Sequence, residues 1–180
     1  MKTDRPLKKY LKKITHPPGF TPLRIFKSMW RQKSKTPICP DQPKLNGKLA
    51  IVTGGNDGIG FETSKGLAER GSDVIILSRN EEKSKEAIRK IKAEDDSKVH
   101  FIQTDLGDIE SILAATKNIA KEFPGRKIDI FVANAGVPGG KNLRSAQGYE
   151  MAFAVNVLGH HVLFRSFIIR PKCSYHFLGW

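Results

Sequence analysis

The apolar run Leu49-Ala50-Ile51-Val52 breaks directly into Thr53-Gly54-Gly55-Asn56-Asp57-Gly58-Ile59-Gly60. A short apolar run bounded by glycine reads as a strand buried on both faces. Residues 58–70 read as a helix with Leu67 and Ala68 inward, stopped by Gly71. The junction is therefore a tight strand-to-helix turn, and each glycine has its own physical reason. Gly54 lets the chain reverse sharply. Gly58 removes a Cβ where backbone would approach a pyrophosphate, and Gly60 lets the helix lie close on the sheet. The helix start offers free N–H groups and the positive end of a dipole. This context makes Gly54, Asn56, Asp57, Gly58, Ile59 and Gly60 a candidate dinucleotide-binding turn; the bland alternative is a plain βα turn.

The same alternation continues. Val74-Ile75-Ile76-Leu77 and Val99-His100-Phe101-Ile102 predict buried strands, and Ile128-Asp129-Ile130-Phe131-Val132 predicts a fourth. Between them, residues 80–93 predict a helix capped by Asn80, with Glu81 and Glu82 in the first turn. Asp108 predicts the cap of another, with Ile109, Ile112, Leu113 and Ile119 on one side. A last helix is expected over about 148–168. Strand and helix alternating four times demand parallel strands with crossovers on both faces, so the fold class is α/β. The domain boundaries read as a basic arm at 1–45, a nucleotide-binding body at 46–169 and a tail at 170–180.

The end of the second strand is where a ribose-binding acid would sit. It reads Ser78-Arg79-Asn80, with no carboxylate. Arg79 can meet a 2′-phosphate, which favours NADP over NAD; its alternative is a solvated surface arginine.

Charge separates the arm from the body. Residues 1–38 carry eleven Lys/Arg against the single acid Asp4, whereas the rest carries twenty basic and seventeen acidic residues. Seven of the ten prolines lie in residues 1–45, so the arm cannot be one long regular element. Phe20, Leu23, Phe26 and Trp30 recur at helical spacing among Arg24, Lys27 and Arg31. That pattern fits a basic amphipathic helix on an anionic membrane surface, although a proline-rich arm packing a few aromatics is the simpler reading. No recognition motif accompanies the charge, so nucleic acid is not an expected partner. Cys39 and Cys173 make neither a disulfide framework nor a metal site, which points to a reducing intracellular compartment, cytoplasmic or peripheral on a membrane. No apolar run approaches the roughly 18 residues of a spanning helix, and the N-terminus lacks the short apolar core of a secretory signal.

In order and spacing, Thr53-Gly54-x-x-x-Gly58-Ile59-Gly60, Asp105-Leu106, Asn134-Ala135-Gly136 and Asn156 resemble the short-chain dehydrogenase/reductase family. The stretch Gly148-Tyr149-Glu150-Met151-Ala152-Phe153-Ala154-Val155-Asn156-Val157-Leu158-Gly159-His160-His161 is similar to its retinol dehydrogenase-like branch, which includes X-linked and WW-domain oxidoreductase-like members. The resemblance covers about residues 46–165. It implies a Rossmann-type parallel sheet with helices on both faces, here about four strands of the usual seven. It implies that Asp105, backed by Leu106, meets the adenine, and that Asn134, Ala135 and Gly136 line the cofactor near its ribose. It implies that Asn156 sits on the long helix and organises a proton-relay water through its backbone. By lineage the activity would be NADP(H)-dependent oxidation or reduction of an alcohol or carbonyl, on a retinoid- or steroid-like lipid.

The family's chemistry also uses a Tyr whose pKa is lowered by a Lys four positions later and by the cofactor's charge, with a substrate-orienting Ser on the preceding strand. An unperturbed Tyr titrates near about 10 and is a poor base at pH 7. Position 179, four residues after Tyr175, is Gly. Ser174 is adjacent to Tyr175, Lys172 lies on its wrong side, and Tyr10 and Tyr149 have no family context. Asn156 is therefore the sole catalytic candidate. Pro171 ends the helix and the tail departs from the family pattern, so a truncated chain, marginal in stability with an open sheet edge, is expected. The alternatives to an enzyme are a non-catalytic NADP-binding chain, one that pairs with itself or a full-length relative through the long helix, or a module tethered to a membrane by its arm.

Overall fold

A computed structural model describes residues 43–94, 98–139 and 143–168. Four strands, β1 (Leu49–Thr53), β2 (Asp73–Ser78), β3 (Val99–Gln103) and β4 (Ile130–Val132), form one parallel sheet in the order β3-β2-β1-β4. The helices α1 (Gly58–Glu69), α2 (Glu81–Glu94), α3 (Ile109–Glu122) and α4 (Met151–Ile168) follow the strands in turn. This is the expected Rossmann-type α/β arrangement, and its four strands are those read from the sequence. The described body begins inside the expected arm; the rest of the arm, its aromatic stripe, and the tail with Ser174 and Tyr175 lie outside the described residues.

Both faces of the sheet are covered, and the pleat decides which side chain goes where. Leu49, Ile51, Ile75, Leu77 and Ile102 point to one side, against Ile112, Ala115 and Ile119 of α3 and Leu163 and Phe167 of α4. Ala50, Val52, Val74, Ile76 and Val99 point to the other, against Ala68 of α1 and Ile91 of α2. Residues buried from both sides explain why the strands are continuous apolar runs rather than alternating ones.

The expected caps are present. Asn80 Oδ1 accepts from Lys83 N at 2.9 Å, and Asp108 Oδ1 accepts from Glu110 N at 3.1 Å. Four expectations need correction. Leu113 is 36% exposed, because the buried stripe of α3 runs through Ile112, Ala115, Thr116 and Ile119 and leaves Leu113 a further 100° round the helix. β4 starts at Ile130, not Ile128: Leu49 N donates to the side chain of Asp129 (3.0 Å to Oδ2), which takes a place in the ladder that backbone would fill. The last helix starts at Met151, after Gly148 at φ +82°, with the Glu150 carboxylate accepting from Ala152 N and Phe153 N. Finally, α4 is long and apolar enough to cross a membrane, which the sequence was not expected to supply. Its Val155, Leu163 and Phe167 nevertheless belong to the core cluster shared with α3 and the sheet.

Candidate functional site

The chain runs β1, β2, β3 outward in one direction, then returns past β1 to lay β4 on its other side. Loops leaving β1 and β4 therefore diverge at the carboxyl ends of the strands, and a crevice opens there, where ligands of such sheets bind. A cleft of about 420 Å³ occupies this place. Gly54, Asn56 and Asp57 line it from the β1–α1 turn, Arg79 from the end of β2, Asp105 and Leu106 from the end of β3, and Asn134, Ala135 and Gly136 from the end of β4. Gly58, Ile59, Gly60 and Asn156 do not line it.

The glycines differ physically. Gly54 has φ +64°, and a Cβ on it would stand 3.1 Å from Ala135 Cα, so it both reverses the chain and admits the loop after β4. Gly58 has φ +53°, and beyond its chain neighbours and its own helix backbone no atom lies within 4 Å of where its Cβ would be. The side of Gly58 where a Cβ would stand is thus open at the start of α1, while its N–H donates to Asp57 Oδ1 at 2.9 Å. A Cβ on Gly60 would collide with the Gly54 carbonyl oxygen and the Asn134 amide, so α1 could not approach the turn. Ile59 is 81% exposed beside them, an apolar side chain that only a ligand or another surface would cover. These features fit an extended nucleotide.

The polar residues are less free than the sequence suggests. Asn134 Nδ2 donates to Thr53 O at 3.0 Å and Gly54 O at 3.4 Å, so its amide fastens the glycine turn to β4 instead of pointing at a ligand. Asp105 Oδ1 accepts from Gly107 N at 2.8 Å, closing its own loop. Asn156 clamps Val137, accepting from its N–H at 2.9 Å and donating to its carbonyl at 3.0 Å. It lies in a π-helical stretch of α4, Ala154–Gly159, a wide turn of a kind often found at functional sites. Its carbonyl lies 3.4 Å from His160 Nδ1. Among the described residues the Arg79 guanidinium has no carboxylate partner.

Three residues escaped sequence reasoning. Thr53 is fully buried at the end of β1, and its Oγ1 accepts from Asn134 N at 2.9 Å and Ala135 N at 3.0 Å. The same oxygen lies 2.9 Å from His160 Nε2. If His160 carries its proton on Nδ1, facing the Asn156 carbonyl, the Thr53 hydroxyl donates to Nε2 and one network joins β1, β4 and α4. Lys83, in the first turn of α2, lines the cleft and pairs with Asp57 at 3.1 Å. A buried Thr closing a strand was the one local signal; the other two depend on tertiary approach.

Burial pushes the His160 imidazole below its ordinary value, and the nearby backbone carbonyls of Asn156 and Val155 only partly offset this. Burial likewise lowers His100, which stacks edge-on against Phe123 at 4.9 Å. A folded pKa below the unfolded one means that the unfolded chain binds the proton first as pH falls. Stability should therefore be complete above about pH 6.5 and decline below it. NMR titration of the imidazole signals checks this: midpoints below that of free histidine are expected, and a His160 midpoint at or above it would remove the neutral acceptor from the network.

The family model described as short chain dehydrogenase matches residues 48–170. Mouse retinol dehydrogenase 11 is 39% identical over 134 residues, covering 74% of this chain and 42% of that protein. Human polyprenol dehydrogenase is 39% identical over 130 residues, covering 71% of this chain and 37% of that protein. The chain thus spans less than half the length of these curated relatives. Among solved structures, a metagenomic short-chain oxidoreductase in complex with NADP matches with a TM-score of 0.60 at 27% identity, covering 69% of this chain and 57% of that one. A short chain dehydrogenase from Salmonella enterica serovar Typhi matches at a TM-score of 0.59 and 28% identity, over 75% of this chain and 56% of that one.

Proposed function

The chain belongs to the short-chain dehydrogenase/reductase family, in its retinol dehydrogenase-like branch, and from that premise we propose that these 180 residues hold NADP(H) in preference to NAD(H) without turning over substrate. The observation that carries this reading is the cleft at the switch point of the sheet, with Gly54 and Asp57 of the glycine turn on one side of it and Arg79, which has no carboxylate partner among the described residues, at the end of β2. Gly54, Gly58 and the start of α1 would hold the pyrophosphate, Arg79 the 2′-phosphate, and Asp105, Leu106 and Asn134-Ala135-Gly136 the two ends of the nucleoside. When bound, NADPH would supply a hydride from nicotinamide C4 and NADP⁺ would accept one there. The chain's own contribution is to orient the nucleotide: Asn134 and Thr53 fix the glycine turn, and Asn156 fixes the loop after Gly136. No Tyr-x-x-x-Lys follows Asn156 in the 180 residues, which supports binding without proton transfer to a substrate oxygen. In a longer protein built on this body, Asn156 would join a proton relay to an alcohol or carbonyl; the names retinol dehydrogenase and polyprenol dehydrogenase among its relatives support a lipid. The paucity of cysteine and the basic arm support an intracellular place, in the cytoplasm or against a membrane surface.

Pairing is the second reading, and exposed side chains on α4 favour it. Phe153 is 50% and Val157 54% exposed, enough for a second copy or a longer relative to cover. Calorimetric titration of the full chain with NADPH and NADH tests the first reading, with absorbance followed after adding an aldehyde. Saturable, tighter binding of NADPH and no oxidation of it are expected. Equal affinity for the two nucleotides would remove the NADP preference, and steady turnover would remove the non-catalytic reading.

A further inference from the structure

We infer that Lys83 is a second residue reading the 2′-phosphate and that Asp57 holds it in reserve, so that nucleotide preference is set by competition for one ammonium group. The inference rests on the NADP reading above. Lys83 follows Arg79 by four residues, and both line the cleft. Lys83 is not idle there: its Nζ donates to Asp57 Oδ2 at 3.1 Å. Asp57 Oδ1 at the same time accepts from Gly58 N at 2.9 Å, so one carboxylate caps α1 and tethers a cation from α2. This places a negative charge at the helix start, where a pyrophosphate also needs room.

The pair stands between two spaces. Beyond it lies a groove of about 440 Å³ between α1 and α2, lined by Phe61, Glu86 and Lys90 and sharing Asn56, Asp57 and Lys83 with the cleft. Lys83 can therefore leave Asp57 without crossing packed protein. Both partners are open to water, with side chains 62% and 72% exposed, and such ion pairs contribute little. A phosphate monoester carries a charge of about −1.5 to −2 at neutral pH and outbids a single carboxylate for the same ammonium. Asp57 would not then be stranded, because Lys90 also acts on it across the groove. NADH, with no 2′-phosphate, offers Lys83 nothing and leaves the pair closed.

Calorimetry on the full chain with NADPH and with NADH tests this in wild type, Lys83→Met, Asp57→Asn and the double variant, with thermal unfolding of each to confirm that it folds. Asn keeps the cap at position 57. Lys83→Met should weaken NADPH by about tenfold, the scale of one charge-assisted contact, and leave NADH unchanged. Asp57→Asn should tighten NADPH severalfold, and most of that gain should vanish in the double variant. A wild-type chain that does not prefer NADPH removes the NADP reading and this inference with it. A wild-type preference that survives Lys83→Met intact, or an Asp57→Asn gain undiminished in the double variant, overturns the inference alone.

Discussion

Gly60→Ala is expected to cost about 2–3 kcal/mol and to abolish nucleotide binding. The added Cβ would meet the Gly54 carbonyl oxygen and the Asn134 amide. Gly54 contributes backbone in a tight turn, and Asn134 is already bonded to that turn at 3.0 Å. Neither can yield like the end of a flexible side chain, so α1 must lift away and open the turn. Against a total of about 5–15 kcal/mol for a domain, the loss is large. Gly58→Ala makes the informative contrast. Beyond its own helix and chain neighbours no atom lies near its Cβ position, so the folded state bears only the strain of a non-glycine residue at φ +53°, about 1–2 kcal/mol. It should keep the fold better than Gly60→Ala and still lose nucleotide, if the phosphates take the space that its missing Cβ leaves. Urea unfolding with calorimetry on both variants decides. A Gly60→Ala protein as stable as wild type would contradict the packing account.

Thr53→Val should be the most damaging isosteric change in the body. It keeps volume and deletes a hydroxyl that is fully buried. Ala135 N loses its acceptor at 3.0 Å, and His160 Nε2 loses its neighbour at 2.9 Å. Asn134 N retains the Val132 carbonyl at 3.1 Å, so it is not orphaned. Two unmatched polar groups at about 1–3 kcal/mol each put the cost at roughly 2–6 kcal/mol. Thr53→Ser, which keeps the oxygen, should stay within about 1 kcal/mol of wild type. Urea midpoints measure both, and Thr53→Val matching Thr53→Ser would show that the hydroxyl network adds nothing.

These two sites also mark what could be read in advance. The glycine turn was legible because strand, turn and helix are contiguous, and each glycine answers a local steric demand. The four strands were legible for a related reason: residues such as Ile51 and Ile76 are buried from both faces, so they declare themselves as unbroken apolar runs. Asn80 and Asp108 were legible as caps, since a cap bonds only two or three residues on. The rest is tertiary. Thr53 and His160 lie 107 residues apart, and nothing in either neighbourhood announces the other. Lys83 carries no local signal, and only the fold sets Asp57 beside it. The Asp129 carboxylate filling a ladder position and the π stretch around Asn156 are matters of hydrogen-bond register, on which composition is silent. Asn134 was read as lining the cofactor; it does line the cleft, and what the sequence did not announce is that its amide also bonds the carbonyls of Thr53 and Gly54.

The central claim is that the cleft between the β1–α1 turn and the ends of β2, β3 and β4 holds the nucleotide. The most direct test is an amide NMR titration of the full chain with NADPH. Saturable shifts confined to Gly54–Gly60, Arg79, Lys83, Asp105–Leu106 and Asn134–Gly136 are the result this account predicts. Saturable shifts that spare the Gly54–Gly60 amides, or no shifts at millimolar nucleotide, would contradict it.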